Sequence, residues 1–114
     1  MLDRETLRKQ RDFVSVYSRG ESTGSKYIVI LYKNNRFDYS RTSFVASKKV
    51  GNSVARNRAR RLMRESYRAI NCENNLKKGI DIIFVARNTI KPEVKMDDVK
   101  KSMIKGLNNL GLIK

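Results

Sequence analysis

Two short apolar runs limit the folds open to this chain of 114 residues. Residues 26–33 and residues 80–86 are nearly continuous stretches of β-branched, aliphatic and aromatic side chains. Each run is too short for a confident helix and lies next to polar turn residues, so each predicts a strand. The first run lacks polar alternation, which is typical of a strand covered on both faces. The fold must therefore place other elements against both sides of a sheet.

Further segments supply those elements. Apolar side chains at helical spacing predict three helices. The first covers residues 10–19 and stops at Gly20, and the second extends from Asn52 or Ser53 to about Ile70. The third begins at Asp97 or Asp98 and ends before Gly111. Residues 21–25 predict a turn or a short edge strand. Residues 42–48 alternate and predict a second strand, antiparallel to the first because the connection is short. Residues 1–9 show no sustained period and are expected to form a mobile or loosely docked basic arm.

The order helix, strands, helix, strand, helix predicts a single α+β domain over residues 1–114. Groups for chemistry are scarce in it. The sequence has no histidine, and its one cysteine, Cys72, is expected to be a buried or incidental thiol rather than an activated nucleophile. The adjacent Asp97 and Asp98 would point about 100° apart on a helix, which suits capping better than acid-base catalysis. We therefore expect no catalytic residues and no protein-bound metal.

The charge balance calls for an anionic partner. Lysine and arginine total 26 against 11 acidic residues, which gives a formal charge of +15. Such an excess is normally tolerated where a polyanion binds, with nucleic acid as the first candidate and an anionic membrane surface as the second. No apolar stretch approaches the roughly 20 residues that span a bilayer, and residues 1–11 are charged where a signal peptide would be apolar. A cytoplasmic protein is expected.

The basic residues concentrate in the long predicted helix and the turn before it. Residues 48–68 contain one acid, Glu65, and eight basic residues, which are Lys48, Lys49, Arg56, Arg58, Arg60, Arg61, Arg64 and Arg68. A solvated helix face would normally interleave Glu and Lys or Arg at a spacing of four, and this one does not. Arginine also binds phosphate in a bidentate manner that lysine cannot match. The segment predicts a nucleic-acid surface, with a merely solvated face as the alternative.

Residues 48–65 resemble the signature of the bacterial ribonuclease P protein component, in which an arginine-rich helix follows a Lys-Lys-x-Gly-Asn turn and contains Arg-Asn-Arg. The agreement in order and spacing extends over about residues 8–88. It includes Asp12-Phe13, Tyr17, Gly20, Ser22, the strand over residues 27–32, Arg41, Asp81-Ile82-Ile83 and Ala86-Arg87. Thr42-Ser43 departs from the family, which usually has an apolar residue and glycine there.

The resemblance implies both a function and a fold. In that family the catalyst is an RNA, and the protein helps it to cut the 5′ leader from precursor tRNA. The implied partners are the ribonuclease P RNA and precursor tRNA, with magnesium used by the RNA, no cofactor on the protein, no obligate protein partner and no membrane. The implied fold is a small α/β sandwich with a left-handed βαβ crossover, against the usual right-handed preference.

The resemblance also assigns two groups of residues. Contact with the catalytic RNA is implied for Lys48, Lys49, Arg56, Asn57, Arg58, Arg60, Arg61, Arg64 and Arg68. A cleft for the single-stranded leader, between the first helix and the sheet, is implied for Phe13, Tyr17, Val29, Leu31, Phe44 and Ala46. By spacing alone, Phe13 and Tyr17 are better explained as core residues that seal the helix to the sheet, and only the resemblance makes a cleft role equally favoured.

Two other classes of protein remain as alternatives. One is a structural RNA-binding protein of the ribosomal type with no processing role, which composition alone would not separate from a processing subunit. The other is a peripheral membrane protein. Its amphipathic helix would need bulky apolar residues opposite the basic face, whereas Ala55 and Ala59 form a small stripe that suits packing on a sheet.

Overall fold

The computed structural model describes residues 5–73 and 75–113, and the helices and strands in them form three layers. The elements are α1 (Gln10–Arg19), β1 (Glu21–Gly24), β2 (Ile28–Asn34), β3 (Arg41–Val45), α2 (Ser53–Glu73), β4 (Ile80–Ala86) and α3 (Met96–Asn109). α1 packs on one face of the sheet, and α2 and α3 pack on the other. The predicted α+β class and order of elements are confirmed.

The four strands have the order β1-β2-β4-β3. β2 pairs antiparallel with β4, whereas β3 pairs with β4 in parallel. β3 therefore runs antiparallel to β2, as predicted, but β4 separates the two strands. β4 takes this inner position because nearly all of its side chains are apolar and buried, which suits a strand covered on both faces. α2 joins the parallel pair β3 and β4, and the left-handed sense of this crossover stays a prediction.

The strands divide their side chains between two cores because successive residues point to opposite faces. Ile30 and Phe84 face α2 and α3 and are fully buried. Ile83 faces α1 and packs with Leu7 and Val16. The sandwich thus has a large core on the side of α2 and α3 and a smaller one under α1.

The helix ends follow the sequence signals. The bounds of α1 are those predicted, and Asn52 caps α2 because its Oδ1 atom accepts a hydrogen bond from the Ala55 amide at 3.0 Å. α2 continues to Glu73, one turn beyond the predicted end. Asp98 accepts a hydrogen bond from the Lys95 amide at 3.0 Å at the start of α3. The capping role predicted for the Asp97 and Asp98 pair is thereby confirmed for Asp98.

The start of the chain differs from the prediction of a mobile or loosely docked arm over residues 1–9. Residues 1–4 lie outside the described residues. The Thr42 amide donates to the Glu5 carbonyl and the Leu7 amide donates to the Thr42 carbonyl, both at 2.8 Å, and Leu7 is only 2% exposed. The prediction is wrong for this part because β3 is an edge strand whose unpaired backbone groups offer hydrogen bonds. Cys72 is exposed at the end of α2, so of the two predicted alternatives the buried thiol is wrong and the incidental thiol is left.

Candidate RNA interface

The outer side of α2 carries the arginine-rich surface. Its inner side buries Ala59, Leu62, Met63, Ser66 and Ile70 against the sheet and α3. The helical period then turns Asn57, Arg61, Arg64 and Arg68 to solvent, while Arg56 and Arg60 are half-buried beside them. We call the set Arg56, Asn57, Arg60, Arg61, Arg64 and Arg68 the arginine surface. The structure thus brings together six of the nine residues predicted to contact the catalytic RNA.

Local contacts hold three of these guanidinium groups along the helix. Arg56 donates to the Ser53 hydroxyl at 3.1 Å, and Arg60 donates to the side-chain oxygen of Asn57. The Arg64 guanidinium lies over the Phe44 ring, 5.7 Å from its centroid. These contacts leave the positive charges in place because hydroxyl, amide and aromatic partners do not neutralise them. The side chains are therefore ordered for binding without being paired.

The remaining three predicted residues flank this surface, and Arg58 shares a groove with Asn57, Arg60, Arg61 and Arg64 although its guanidinium has partners of its own. Lys48 and Lys49 are exposed in the turn before α2, where Gly51 adopts a φ of +145° and a Cβ would lie 2.9 Å from that of Ala55. This geometry explains the glycine of the Lys-Lys-x-Gly-Asn turn. Arg58 instead points to the loop before α3 and donates to the carbonyls of Lys91, at 3.3 Å, and Val94. Its guanidinium fixes that loop.

No carboxylate among the described residues forms an ion pair with an arginine of α2. The ion pairs in this part of the chain are those of Arg41 and Lys100, which lie in other elements. A groove of about 520 Å³ runs along this side of the helix, with Arg60, Arg61 and Arg64 in its lining. Val54 also lines it and is 76% exposed, a position that the sequence reasoning missed. Its spacing of three and seven residues from Asn57 and Arg61 is the signal that places it on the basic side.

The predicted leader cleft is divided by the sheet. Phe13 packs beside Leu31 in the core under α1, Val29 is half-buried on the same face, and Tyr17 is 50% exposed on α1. Burial raises the pKa of Tyr17, so its hydroxyl is neutral near pH 7. These four residues border the space between α1 and the sheet.

The other two predicted cleft residues, Phe44 and Ala46, lie on the opposite face. The Phe44 ring stacks on that of Phe84, with centroids 5.5 Å apart, and meets Tyr67 edge-on at 6.0 Å. Both residues belong to the core beneath α2, so their assignment to a cleft under α1 is wrong. The reason is strand register: Ser43 and Val45 face α1, and their neighbours in the sequence must face the other way.

A half-buried polar cluster fixes α1 against the sheet. Arg41 binds both carboxylate oxygens of Asp81, at 2.8 and 2.6 Å, and reaches Asp12 of α1 at 3.4 Å. The hydrogen bonds that Arg41 donates to Asp81 raise the pKa of Arg41 further, so the guanidinium stays charged. Lys33 adds a second tie by donating to Ser15 at 2.9 Å. Because Asp12 is adjacent to Phe13 in α1, the cluster also helps to position Phe13 relative to the sheet.

Fold and site together define a class: a small, strongly basic α+β protein whose long helix carries arginines with no acidic partner among the described residues, an arrangement typical of nucleic-acid-binding proteins. The helices among the described residues are too short or too polar to cross a membrane. The sequence model of the Ribonuclease P family matches residues 1–111. The chain therefore belongs to the ribonuclease P protein family, and the expectation drawn from the motif is confirmed.

Relatives and solved structures agree over nearly the whole chain. The ribonuclease P protein component of Clostridioides difficile is 44% identical over 97 residues, 85% of this chain and 83% of that one. The component of Alkaliphilus metalliredigens is 40% identical over 113 residues, 99% of each. The Staphylococcus aureus RNase P protein structure superposes with a TM-score of 0.84 at 26% identity, covering 98% and 100%. The Thermotoga maritima protein gives 0.78 at 31%, covering 90% and 94%.

Proposed function

We propose that this ribonuclease P protein subunit assists a catalytic RNA in removing the 5′ leader from precursor tRNA, and that the polypeptide supplies binding rather than bond cleavage. The observation that carries the proposal is the arginine surface of α2, which is ordered and lacks acidic partners among the described residues. The absence of histidine from the sequence fits a protein whose reaction depends on its RNA partner.

The arginine surface would contact the catalytic RNA. Arg60, Arg61 and Arg64 would bind backbone phosphates, for which the planar guanidinium is well shaped. Asn57 would add a neutral polar contact beside them, and Lys48 and Lys49 would extend the positive surface at the turn before α2. Arg58 has a smaller role in this proposal because its donors already bind Lys91 and Val94.

Salt dependence tests this surface directly. The variant Arg60→Ala/Arg64→Ala should bind the cognate ribonuclease P RNA more weakly, and the slope of log affinity against log salt should flatten by about 0.7 to 0.9 for each lost phosphate contact. A matched control is Lys101→Ala/Lys105→Ala on the exposed side of α3, which removes the same charge. An unchanged slope for the α2 variant would remove this helix from the interface.

The leader would lie between α1 and the sheet. This finer part of the proposal is supported by Tyr17, whose ring is half exposed at the edge of a face that also carries Val29 and Leu31. Unstacked bases can lie on an aromatic ring for about 1 to 3 kcal/mol each without sequence preference. Such tolerance suits a leader whose sequence differs between tRNAs.

Replacing the exposed ring tests the leader contact without disturbing the core. With the reconstituted holoenzyme, Tyr17→Ala should weaken binding of precursor tRNA at least fivefold and leave mature tRNA unchanged. Tyr17→Phe keeps the stacking surface and should retain most of the affinity. Equal losses for precursor and mature tRNA would show that Tyr17 makes no contact with the leader.

A further inference from the structure

A second basic groove lies beside α1, away from the arginine surface. It encloses about 770 Å³ between the first turns of α1, the end of β2 and the residues that follow it, and the starts of β3 and β4. It is lined by Lys9, which immediately precedes α1, and by Arg11, Asp12 and Ser15 of α1, whereas Phe13 and Tyr17 do not line it. α1 therefore separates this groove from the predicted leader cleft.

The charge in the groove is largely uncompensated. Five cationic side chains line it against two carboxylates, those of Asp12 and Asp81. Arg41 forms an ion pair with each of these carboxylates, with N···O distances of 3.4 and 2.6 Å. Among the described residues, the other four cations, Lys9, Arg11, Lys33 and Arg36, have no acidic partner within ion-pair distance. Their charge is left for an external anion.

The loop that carries Arg36 is fixed in place. Asn35 donates to Asp81 at 3.0 Å and to the Tyr39 carbonyl at 3.2 Å, and its own oxygen accepts from the Phe37 amide at 2.8 Å. The Phe37 ring stacks on Tyr39 and also contacts the Arg41 guanidinium, each at 5.0 Å. An ordered rim lowers the entropy lost on binding.

The lysine-bearing face of α3 serves as a comparison, because it is a charged surface of the same protein with acidic groups close to its lysines. Lys100 forms an ion pair with Glu73 at 2.9 Å, and Asp97 and Asp98 lie in the first turn of the helix. Acidic and basic groups are mixed there, as expected for a charged face that only contacts water. The groove beside α1 differs, because both of its carboxylates pair with Arg41 and none is left near its other four cations.

We propose that this groove binds backbone phosphates of the ribonuclease P RNA, as a second anchoring surface on the side of the sheet opposite α2. The inference rests on the proposed function. A strand that lies in the predicted cleft stays on the other side of α1, whereas a large folded RNA that meets α2 can also extend around the protein to this groove. The contact is to phosphates because the available groups are guanidinium and ammonium donors.

The test removes three exposed cations from the rim. Lys9→Gln/Arg11→Gln/Arg36→Gln is compared with an α3 control, Lys95→Gln/Lys101→Gln/Lys105→Gln, which loses the same charge from exposed positions at the start of α3 and along it. For binding to full-length cognate ribonuclease P RNA, the groove variant should flatten the log-log salt slope by about 2 to 3, at 0.7 to 0.9 for each contact. The α3 control should change it by less than about 1.

The outcomes separate this inference from the proposed function. Equal slope changes in the groove variant and the α3 control would show a general charge effect and overturn the inference. A normal slope for the ribonuclease P RNA, combined with weaker holoenzyme binding of precursor tRNA, would assign the groove to the leader and also overturn it. Arg60→Ala/Arg64→Ala is titrated alongside: failure of that variant to flatten the slope contradicts the proposed function, whereas failure of the groove variant alone contradicts only this inference.

Discussion

At the scale of single residues, Arg41 joins three elements of the sandwich. Its side chain is 18% exposed and links β3 to Asp81 of β4 and Asp12 of α1. A buried charge that loses its partner is costly, whereas an apolar pair of similar volume at the same place is often tolerated. The stability of the protein should therefore depend on the pair rather than on either charge alone.

Arg41→Met should lower the free energy of unfolding by about 3 kcal/mol because Asp81 loses its counter-charge and keeps only the hydrogen bond from Asn35. Urea denaturation measures this change. The double variant Arg41→Met/Asp81→Leu should recover at least half of the loss, since it removes the stranded carboxylate. A single variant as stable as the unmodified protein would show that the cluster contributes nothing to folding.

Tyr67 gives the structure a predictable response to alkaline pH. Burial, with a smaller contribution from the charge of Glu5, raises the pKa of Tyr67 to about 12. Between pH 10 and 12 the unfolded chain loses the phenol proton while the folded state keeps it, so stability falls as the pH rises, by about 3 kcal/mol at most.

The comparison with Tyr67→Phe isolates this effect. The phenylalanine variant keeps the ring contacts with Phe44 and Phe84 but has no proton to lose. Denaturant unfolding between pH 9 and 11.5 should show a steeper loss of stability for the unmodified protein than for the variant. Parallel curves would mean that Tyr67 ionises as readily in the fold as in the unfolded chain.

Residue roles were only partly predictable from the sequence. The arginine surface could be found because charge, helical period and the lack of interleaved acids point to one side of α2. Phe44 and Ala46 could not be placed, since a strand's alternation shows which residues share a face but not which face meets which helix. The carbonyl contacts of Arg58 could not be predicted for a related reason, because its partners come from a distant loop.

At the scale of elements, the close approach of α3 to β2 depends on Gly106. A Cβ at this position would lie 2.6 Å from Cδ1 of Ile30 and 3.4 Å from Cγ2 of Thr23. Alanine favours a helix over glycine by about 1 kcal/mol, which opposes the clash. We expect the clash to outweigh the gain in helix propensity, because Ile30 is fully buried and has no free space into which it can move.

Gly106→Ala should therefore destabilise the protein by about 1 to 3 kcal/mol, the usual cost of an overfilled core. Ile30→Val removes the atom that clashes, so the double variant should be more stable than the sum of the two single changes, by about 1 kcal/mol. Thermal and urea unfolding of all four proteins measure this coupling. Strictly additive effects would show that α3 and β2 adjust independently.

The helices and strands could be predicted closely from the sequence, but which of them pair or pack together could not. Continuous apolar runs predicted β2 and β4, and capping residues predicted the starts of α2 and α3. The pairing of β2 with β4, instead of β3, follows from the burial of β4 on both faces, a property of the whole sheet. The docking of residues 5–7 likewise depends on a free edge of β3 that exists only once the sheet has formed.

In the molecule as a whole, the fold concentrates part of the net charge of +15 on two separate surfaces. α2 directs its arginines outward from one face of the sheet, and the groove beside α1 gathers a second group on the other. The sheet and its two cores hold these surfaces in fixed relation. Such an arrangement suits a protein that positions RNA.

Single-turnover cleavage of precursor tRNA shows whether the protein assists a catalytic RNA without cutting the substrate itself. The cognate ribonuclease P RNA is assayed with and without the protein over a range of magnesium concentrations, and the protein is assayed alone. The protein alone should release no leader, and its addition should lower the magnesium concentration that the RNA needs for cleavage. Leader release by the polypeptide alone, or a cleavage rate and substrate affinity that the protein leaves unchanged at every magnesium concentration, would contradict the account.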